Sequence, residues 1–332
     1  MLDCLFQMEL FIRNAGFEQL TRLWQQKQGN IVWQCLFVLP PWLETWWQVF
    51  GSNYQPYLKI VYSRQEPVGI VPLKISGNTV TFMGSENICD YQDFIIKEGC
   101  SSSFFTLLLD ELRDDGFERL ELRHVRPESA VMKGLVPVAR ARGLEIKIEQ
   151  EACSLEIALP ASFESYLGLL EKKQRHELRR KLRRLTGAGE PSFSFTDPEG
   201  GNTCRLEQFL TLFRLNDAKT GFMTPTMEQF FRLMVQRLAA ERLLRFGCLR
   251  LDGREVAIVF VFDYNNTIYL YNSAYDPAFG NISPGLMSKA LAIKEAIRMN
   301  RRCWDFLKGE EPYKRHLGGE KVSLYGVDIE IG

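Results

Sequence analysis

The chain has 332 residues, 45% of them hydrophobic and 25% charged, which is too long for one ordinary core and comfortable for two domains of roughly 150 residues. Its 41 basic residues balance its 41 acidic ones, so no global charge calls for nucleic acid, a membrane surface or an acidic partner, and any such recognition must come from local clusters.

The first stretch, MLDCLFQMELFIRNAG, is interrupted by Asp3, Glu9 and Arg13 and lacks the basic start and small-residue cleavage site of a secretory leader. The most apolar later run, IVWQCLFVLPPWL, is broken by Gln34, Pro40 and Pro41 and falls short of the ~20 residues of a membrane span. Eight scattered cysteines without a CxxC pair and only three histidines, His124, His176 and His316, predict reduced thiols, no metal site and a soluble cytoplasmic protein.

An early helix carries Trp42, Trp46 and Trp47, followed by strand patterns YLKIVY, VGIVPLKI, TVTFMG and YQDFII, a helix from Ser101 and a strand ending near Val125. FESYLGLLEKKQRHELRRKLRRL, 163–185, then reads as one strong helix, stopped by Gly187-Ala188-Gly189-Glu190-Pro191. After it, Phe209, Leu212 and Phe213 mark a second aromatic helix, with strands LLRFGCLRL, EVAIVFVFDY and TIYLYNSAY, a helix from Pro284 and a strand through Asp305. Turn pairs at Gly77-Asn78, Asp252-Gly253 and Asn265-Asn266 fit hairpins.

These two series repeat one another. EPVGIVPL aligns with REVAIVFV at an offset of 188, and SSSFFTLLLDELRDDGFERLELRHV aligns with PGLMSKALAIKEAIRMNRRCWDFLKG at an offset of 184, so that Glu121 meets Asp305. The pattern predicts two copies of one α+β fold, each a mixed, mostly antiparallel sheet flanked by helices. The expected boundaries are 1–160 for a first lobe, 161–191 for the basic helix and linker, and 192–332 for a second lobe.

Within that second lobe, Tyr275-Asp276-Pro277, Ser283-Pro284-Gly285, and Asp305-Phe306-Leu307-Lys308-Gly309 followed by Tyr313-Lys314 closely resemble the GNAT-fold acyltransferases of the CelD/BcsL type, relatives of the Fem-type aminoacyl transferases. The resemblance reaches more weakly over the whole chain, through Pro41-Trp42, the Tyr91-Gln92-Asp93-Phe94 box and the basic helix. It implies tandem GNAT folds and an N-acyltransferase that uses acyl-CoA and no metal. The acceptor it implies is a primary amine on a small molecule, sugar or polysaccharide precursor of the cell envelope or exopolysaccharide. A tRNA-borne aminoacyl donor and a non-catalytic glycan- or partner-binding protein are the alternatives.

Residue chemistry gives the site expectations. Ser283 suits a helix N-cap, Pro284 the first helical position and Gly285 close approach to the backbone; a helix start offers amides and a positive dipole end to a pyrophosphate. In GNAT enzymes an Arg/Gln-x-x-Gly-x-Gly/Ala loop does this, and only Gly285 of that pattern is kept here. Amides near Asn272, Ser273 and Ala274 are expected to face the thioester carbonyl, where negative charge grows during transfer. Asp305, flanked by Trp304 and Phe306, is a candidate base or amine-orienting group, or else a structural carboxylate paired with Lys308 or Arg302. Asp276 is a second candidate, with an Asp-Pro turn as its plain explanation. Tyr313 is the candidate acid for the leaving thiolate, or a packed aromatic, and Lys308 and Lys314 are candidate phosphate ligands. Tyr275, Arg179 and Arg183, with Glu86, Tyr91 and Asp93 of a degenerate first lobe, are expected to shape the acceptor side.

Overall fold

The computed structural model describes residues 9–28, 31–85, 87–197, 200–216 and 221–332. Its elements in chain order are β1 (Leu10–Asn14), α1 (Phe17–Gln25), α2 (Pro40–Phe50), β2 (Gln55–Ser63), β3 (Glu66–Ser76), β4 (Thr79–Phe82), β5 (Ile95–Ile96), α3 (Ser101–Asp114), β6 (Arg119–Val125), α4 (Val136–Ala141) and β7 (Ile146–Ala158). They continue with α5 (Phe163–Leu169), α6 (Lys172–Gly187), β8 (Pro191–Phe195), α7 (Asn202–Arg214), α8 (Pro225–Ala240), β9 (Leu244–Leu251), β10 (Arg254–Tyr264), β11 (Thr267–Tyr275), α9 (Pro284–Arg298), β12 (Cys303–Lys308), α10 (Pro312–His316) and β13 (Glu320–Glu330). No helix among the described residues is long and apolar enough to cross a membrane.

The chain divides into two compact units, Met1–Ala152 with Ser323–Gly332, and Cys153–Val322. In unit 1 the strand order is β1-β2-β3-β4-β6-β13, with β5 off β3. In unit 2 it is β7-β12-β11-β10-β9-β8. Each sheet is antiparallel except at one place, β4 beside β6 and β11 beside β12. This is the mixed α+β architecture read from the sequence. Residues 323–332 join unit 1, not the second lobe, because β13 pairs β6 and buries Val327, Ile329 and Ile331 with Leu120 and Leu122. The basic helix joins unit 2, because Leu178 and Leu185 enter its core.

The two copies are directly visible. The parallel ladders are Thr79, Val80 and Thr81 on Arg119, Leu120 and Glu121 in unit 1, and Thr267, Ile268 and Tyr269 on Cys303, Trp304 and Asp305 in unit 2. Thr267 follows Thr79 by 188 positions and Cys303 follows Arg119 by 184, the two offsets present in the sequence. Each second strand then carries an irregularity and a left-handed residue, His124 at φ 52° and Leu307 at φ 62°.

Alternation explains the layers of unit 2. Ala257, Val259 and Val261 of β10 pack with Met287, Ala290 and Ile293 of α9. Phe260 on the other face packs edge-on against Phe209 and Phe231 of α7 and α8. The hairpins turn at Asp252-Gly253 and Asn265-Asn266, all four at positive φ, as primed turns require. Two expected elements differ. The predicted helix over 163–185 is two helices, because extended Leu170 and Glu171 carry the Leu170 side chain into the core against Gly318. The predicted strand YQDFII is reduced to Ile95–Ile96, since Asp93 turns to hold the amides of Phe94, Ala130 and Val131.

Candidate active site

The parallel ladder between β11 and β12 ends at Tyr269 and Asp305, while β11 runs on to Tyr275 and β12 to Lys308. Past that point the strands part, with β11 held by β10 alone. A bulge at Tyr271 marks the opening, because Phe260 faces Asn272 and the next residue, Val261, faces Leu270. The amide of Asp276 donates to Val256 O, so by antiparallel alternation Ala274 and Asn272 also turn their amides to β10. Ser273 and Tyr275 turn theirs into the gap. The Ser273 amide donates to the Asn272 side-chain oxygen at 2.8 Å. The Tyr275 N–H, aimed into the wedge, suits an oxygen that gains negative charge, while the Ser273 N–H is held by Asn272.

β11 leads straight to the start of α9. Asp276 caps the short helix Pro277–Ile282 by accepting the Ala278 amide at 2.9 Å, and its other oxygen accepts from Arg254 at 2.8 Å. Both oxygens are used, so Asp276 is a structural cap and not a catalytic group. Ser283 does precede α9, but in a left-handed conformation (φ 54°, ψ 54°) and without a capping bond. Its hydroxyl instead accepts from Lys181 at 2.9 Å, and Arg184 donates to Asn281 O. Helix α6 is thereby fastened to the approach to α9. Pro284 occupies the first helical position as expected. Gly285 has a different reason from the expected one: a Cβ there would lie 2.9 Å from Cδ1 of Tyr275, so it is the Tyr275 ring that comes close.

Beside this helix start lies a cleft of about 530 Å³ lined by Glu171 before α6, Lys173, Gln174, Glu177 and Lys181 of α6, Leu286 of α9, and His316 at the end of α10. Leu286 and His316 went unrecognised in the sequence, and Lys181 reads there only as one cation of the basic helix; no spacing announces that residue 181 reaches residue 283. Lys289, also missed, is buried, donates to Gly285 O at 2.8 Å, and sets its ammonium 4.7 Å from the centre of the Tyr313 ring. Tyr313 packs edge-on to Phe306, and burial, then the charge of Glu311, pushes its phenol above the usual range. It is therefore a protonated hydroxyl, able to donate a hydrogen bond, and a weaker acid than a free phenol.

Lys314 is not a phosphate ligand. It is 2% exposed, and its ammonium donates to the carbonyls of Leu307, Lys308 and Gly309 at 3.1, 2.6 and 3.2 Å. It ties down the end of β12 on the protein's own oxygens. Asp305 is 2% exposed and accepts the Leu307 amide at 2.7 Å, so it holds the left-handed bulge at the mouth of the gap. Lys308 follows that bulge opposite Ser154. On α6, Arg179 pairs with Glu164, and Arg183 has no partner among the described residues.

The unit 1 candidates are structural. Tyr91 is buried, edge-on to Phe37 and under the Arg126 guanidinium at 4.9 Å. Asp93 spends its oxygens on three backbone amides, and burial still raises its carboxyl to about 6. Glu86 lies outside the described residues. In unit 1 the chain beyond the β4–β6 ladder is closed by its own side chains. Lys74 donates to Phe82 O and Gly84 O at 2.5 and 2.7 Å, and Gln92 donates to Met83 O.

Residues 172–315 match the family model described as the acetyltransferase (GNAT) domain. No curated protein matches the chain by sequence. Among solved structures, that of FemX is similar at 12% identity, covering 96% of this chain and 96% of its own, with a TM-score of 0.65. A conserved protein of unknown function from Bacteroides thetaiotaomicron is similar at 11% identity, covering 97% and 100%, with a TM-score of 0.58. The C-terminal domain of a putative lysylphosphatidylglycerol synthetase from Agrobacterium fabrum is similar at 10% identity, covering 94% and 90%, with a TM-score of 0.57. These likenesses concern the fold. With the domain match, they show a tandem GNAT-like fold, with residues 172–315 of its second copy matching the acetyltransferase (GNAT) domain model.

Proposed function

We propose that unit 2 is an N-acyltransferase that moves an acyl group from acyl-CoA to a primary amine of a small molecule, sugar or polysaccharide precursor. The observation that carries this reading is the wedge: β11 leaves β12 after three paired residues and turns the Ser273 and Tyr275 amides into the gap. The same strand runs on to a helix start with a cleft beside it that holds Lys173 and Lys181 together with Glu171 and Glu177. The thioester carbonyl lies in the gap, the incoming amine adds to its carbon, and the oxygen's developing charge falls on the Tyr275 amide, and on the Ser273 amide where the Asn272 side chain gives it up. Collapse breaks the C–S bond; the thiolate takes the Tyr313 proton, the amine proton leaves to solvent, and solvent returns a proton to Tyr313. Lys173, Lys181 and His316 line the cleft for the diphosphate. Asp305 positions the wedge through Leu307 and does not itself abstract the proton. The closed counterpart in unit 1 supports one donor site per chain and a supporting role for that unit.

Isothermal titration with acetyl-CoA and a longer acyl-CoA tests the reading. One mole binds per mole of chain, Lys181→Glu weakens binding at least about tenfold, and Tyr313→Phe keeps binding while lowering turnover by about a hundredfold. Absence of binding by either thioester at about millimolar concentration, well above an ordinary KM, removes the proposal. An aminoacyl-tRNA donor would instead show as tRNA binding that falls steeply with salt and with charge reversal on α6.

A further inference from the structure

Helix α6 holds eight cations, Lys172, Lys173, Arg175, Arg179, Arg180, Lys181, Arg183 and Arg184, against the single acid Glu177. Leu178 and Leu185 are buried in the core of unit 2. On the far side Lys172, His176, Arg179 and Arg183 recur at helical spacing and are all exposed, one stripe about 17 Å long at 1.5 Å per residue. Some of this charge is used: Arg180 pairs with Glu177, Arg179 with Glu164, and Arg175 donates to Gly168 O. Lys172, Lys173 and Arg183 have no partner among the described residues. The first turn of α6 contains no acid, although a helix N-terminus disfavours cations. Internal stability therefore does not explain Lys172 and Lys173.

A second, chemically different feature adjoins the stripe. Leu169, three positions before Lys172, is 67% exposed, more than any other large hydrophobic among those described. The nearby Leu167 and Leu170 are buried, while Leu169 lies with Gly168 on the exposed side of the segment. An exposed leucine offers nothing to a sugar-phosphate chain, which is bound by cations, hydrogen-bond donors and stacked rings. Beside a row of cations it suits the boundary between phospholipid headgroups and acyl chains.

We infer that the α5–α6 corner is a peripheral docking surface for an anionic phospholipid membrane. The α6 stripe lies along the headgroup phosphates, and Leu169 enters the acyl boundary. This placement rests on no part of the acyl-transfer reading. Each cation held near an anionic leaflet strengthens binding by about fivefold, and burial of one leucine side chain by about tenfold or more.

The test is co-sedimentation of the full chain with vesicles of phosphatidylcholine alone and of phosphatidylcholine mixed with phosphatidylglycerol. The wild type is expected to partition at least about tenfold more strongly onto the anionic vesicles, and less so as salt rises. Lys172→Glu with Arg183→Glu removes that preference. Leu169→Ser lowers partitioning by about tenfold at every salt concentration. These positions are exposed, so far-ultraviolet circular dichroism and acetyl-CoA titration stay unchanged and separate this inference from the site chemistry. Equal partitioning on neutral and anionic vesicles overturns the inference. So does Leu169→Ser binding like the wild type, and so does displacement of the vesicles by tRNA with no effect of Leu169→Ser, which assigns the surface to nucleic acid.

Discussion

Replacing Gly285 with alanine separates two reasons for a glycine at the start of α9: room for a ligand or room for Tyr275. The added Cβ would lie 2.9, 3.2 and 3.5 Å from Cδ1, Cε1 and Cγ of the Tyr275 ring. Carbon contacts settle at about 3.5–4 Å, so the ring must retreat by roughly half an ångström. Such overpacking costs about 1–3 kcal/mol, while alanine gains about 1 kcal/mol over glycine within a helix. The expected net loss is about 1 kcal/mol, a fall of roughly 2–4 °C in Tm for a domain of this size. With the ring removed by Tyr275→Ala the sign reverses, and Gly285→Ala then stabilises by about 1 kcal/mol. Urea denaturation of the four proteins in this cycle should give a coupling of about 2 kcal/mol, and acetyl-CoA affinity should return in the double variant. An alanine that is equally destabilising with and without the Tyr275 ring, or that weakens acetyl-CoA equally in both backgrounds, refutes the assignment of Gly285 to Tyr275.

Lys314→Met removes the donor shared by the carbonyls of 307–309; stranding buried acceptors costs about 1–3 kcal/mol each, so denaturant unfolding should show a loss of at least ~3 kcal/mol. For Asp93, a folded-state value of about 6 against an ordinary value of 3.8 means that folding disfavours its ionised form. Its contribution is fully present below pH ~4 and is lost as pH rises through ~6, by up to about 3 kcal/mol. Wild type minus Asp93→Asn stability should therefore fall between pH 4.5 and pH 7 in paired melting curves; a difference that stays flat or rises contradicts the burial of a charge at this position.

The duplication was readable because its offsets sit in strand and helix patterns that local periodicity exposes. Hairpins at Asp252-Gly253 and Asn265-Asn266 were readable for the same reason: the residue types state the backbone conformation. The α5–α6 break was not, since Leu170 looks like one more helical leucine until Gly318, far along the chain, makes room for it. At the site, the β11–β12 pair and the helix start at Pro284 followed from strand and cap chemistry. What Lys314, Asp276 and Tyr91 do did not. A lysine beside a tyrosine reads the same whether its ammonium meets a ligand or three carbonyls, because only tertiary packing decides which way a long side chain turns. Thr224-Pro225 is a cap and first-turn pair that does announce α8 and was overlooked.

β13 closes unit 1 by pairing with β6, with Arg119 reaching Glu330 and Arg123 reaching Asp328. Between Ala152 and Ser323 the whole of unit 2 must be synthesised, at ~5–20 residues per second a wait of roughly ten to thirty seconds. Throughout that interval one edge of β6 has no neighbour and Leu120 and Leu122 lack their cover, so the half of the protein made first is the half completed last. A nascent chain stalled before residue 323 should thus hold a finished unit 2 and an aggregation-prone unit 1, and unit 1 should lean harder on chaperones than unit 2.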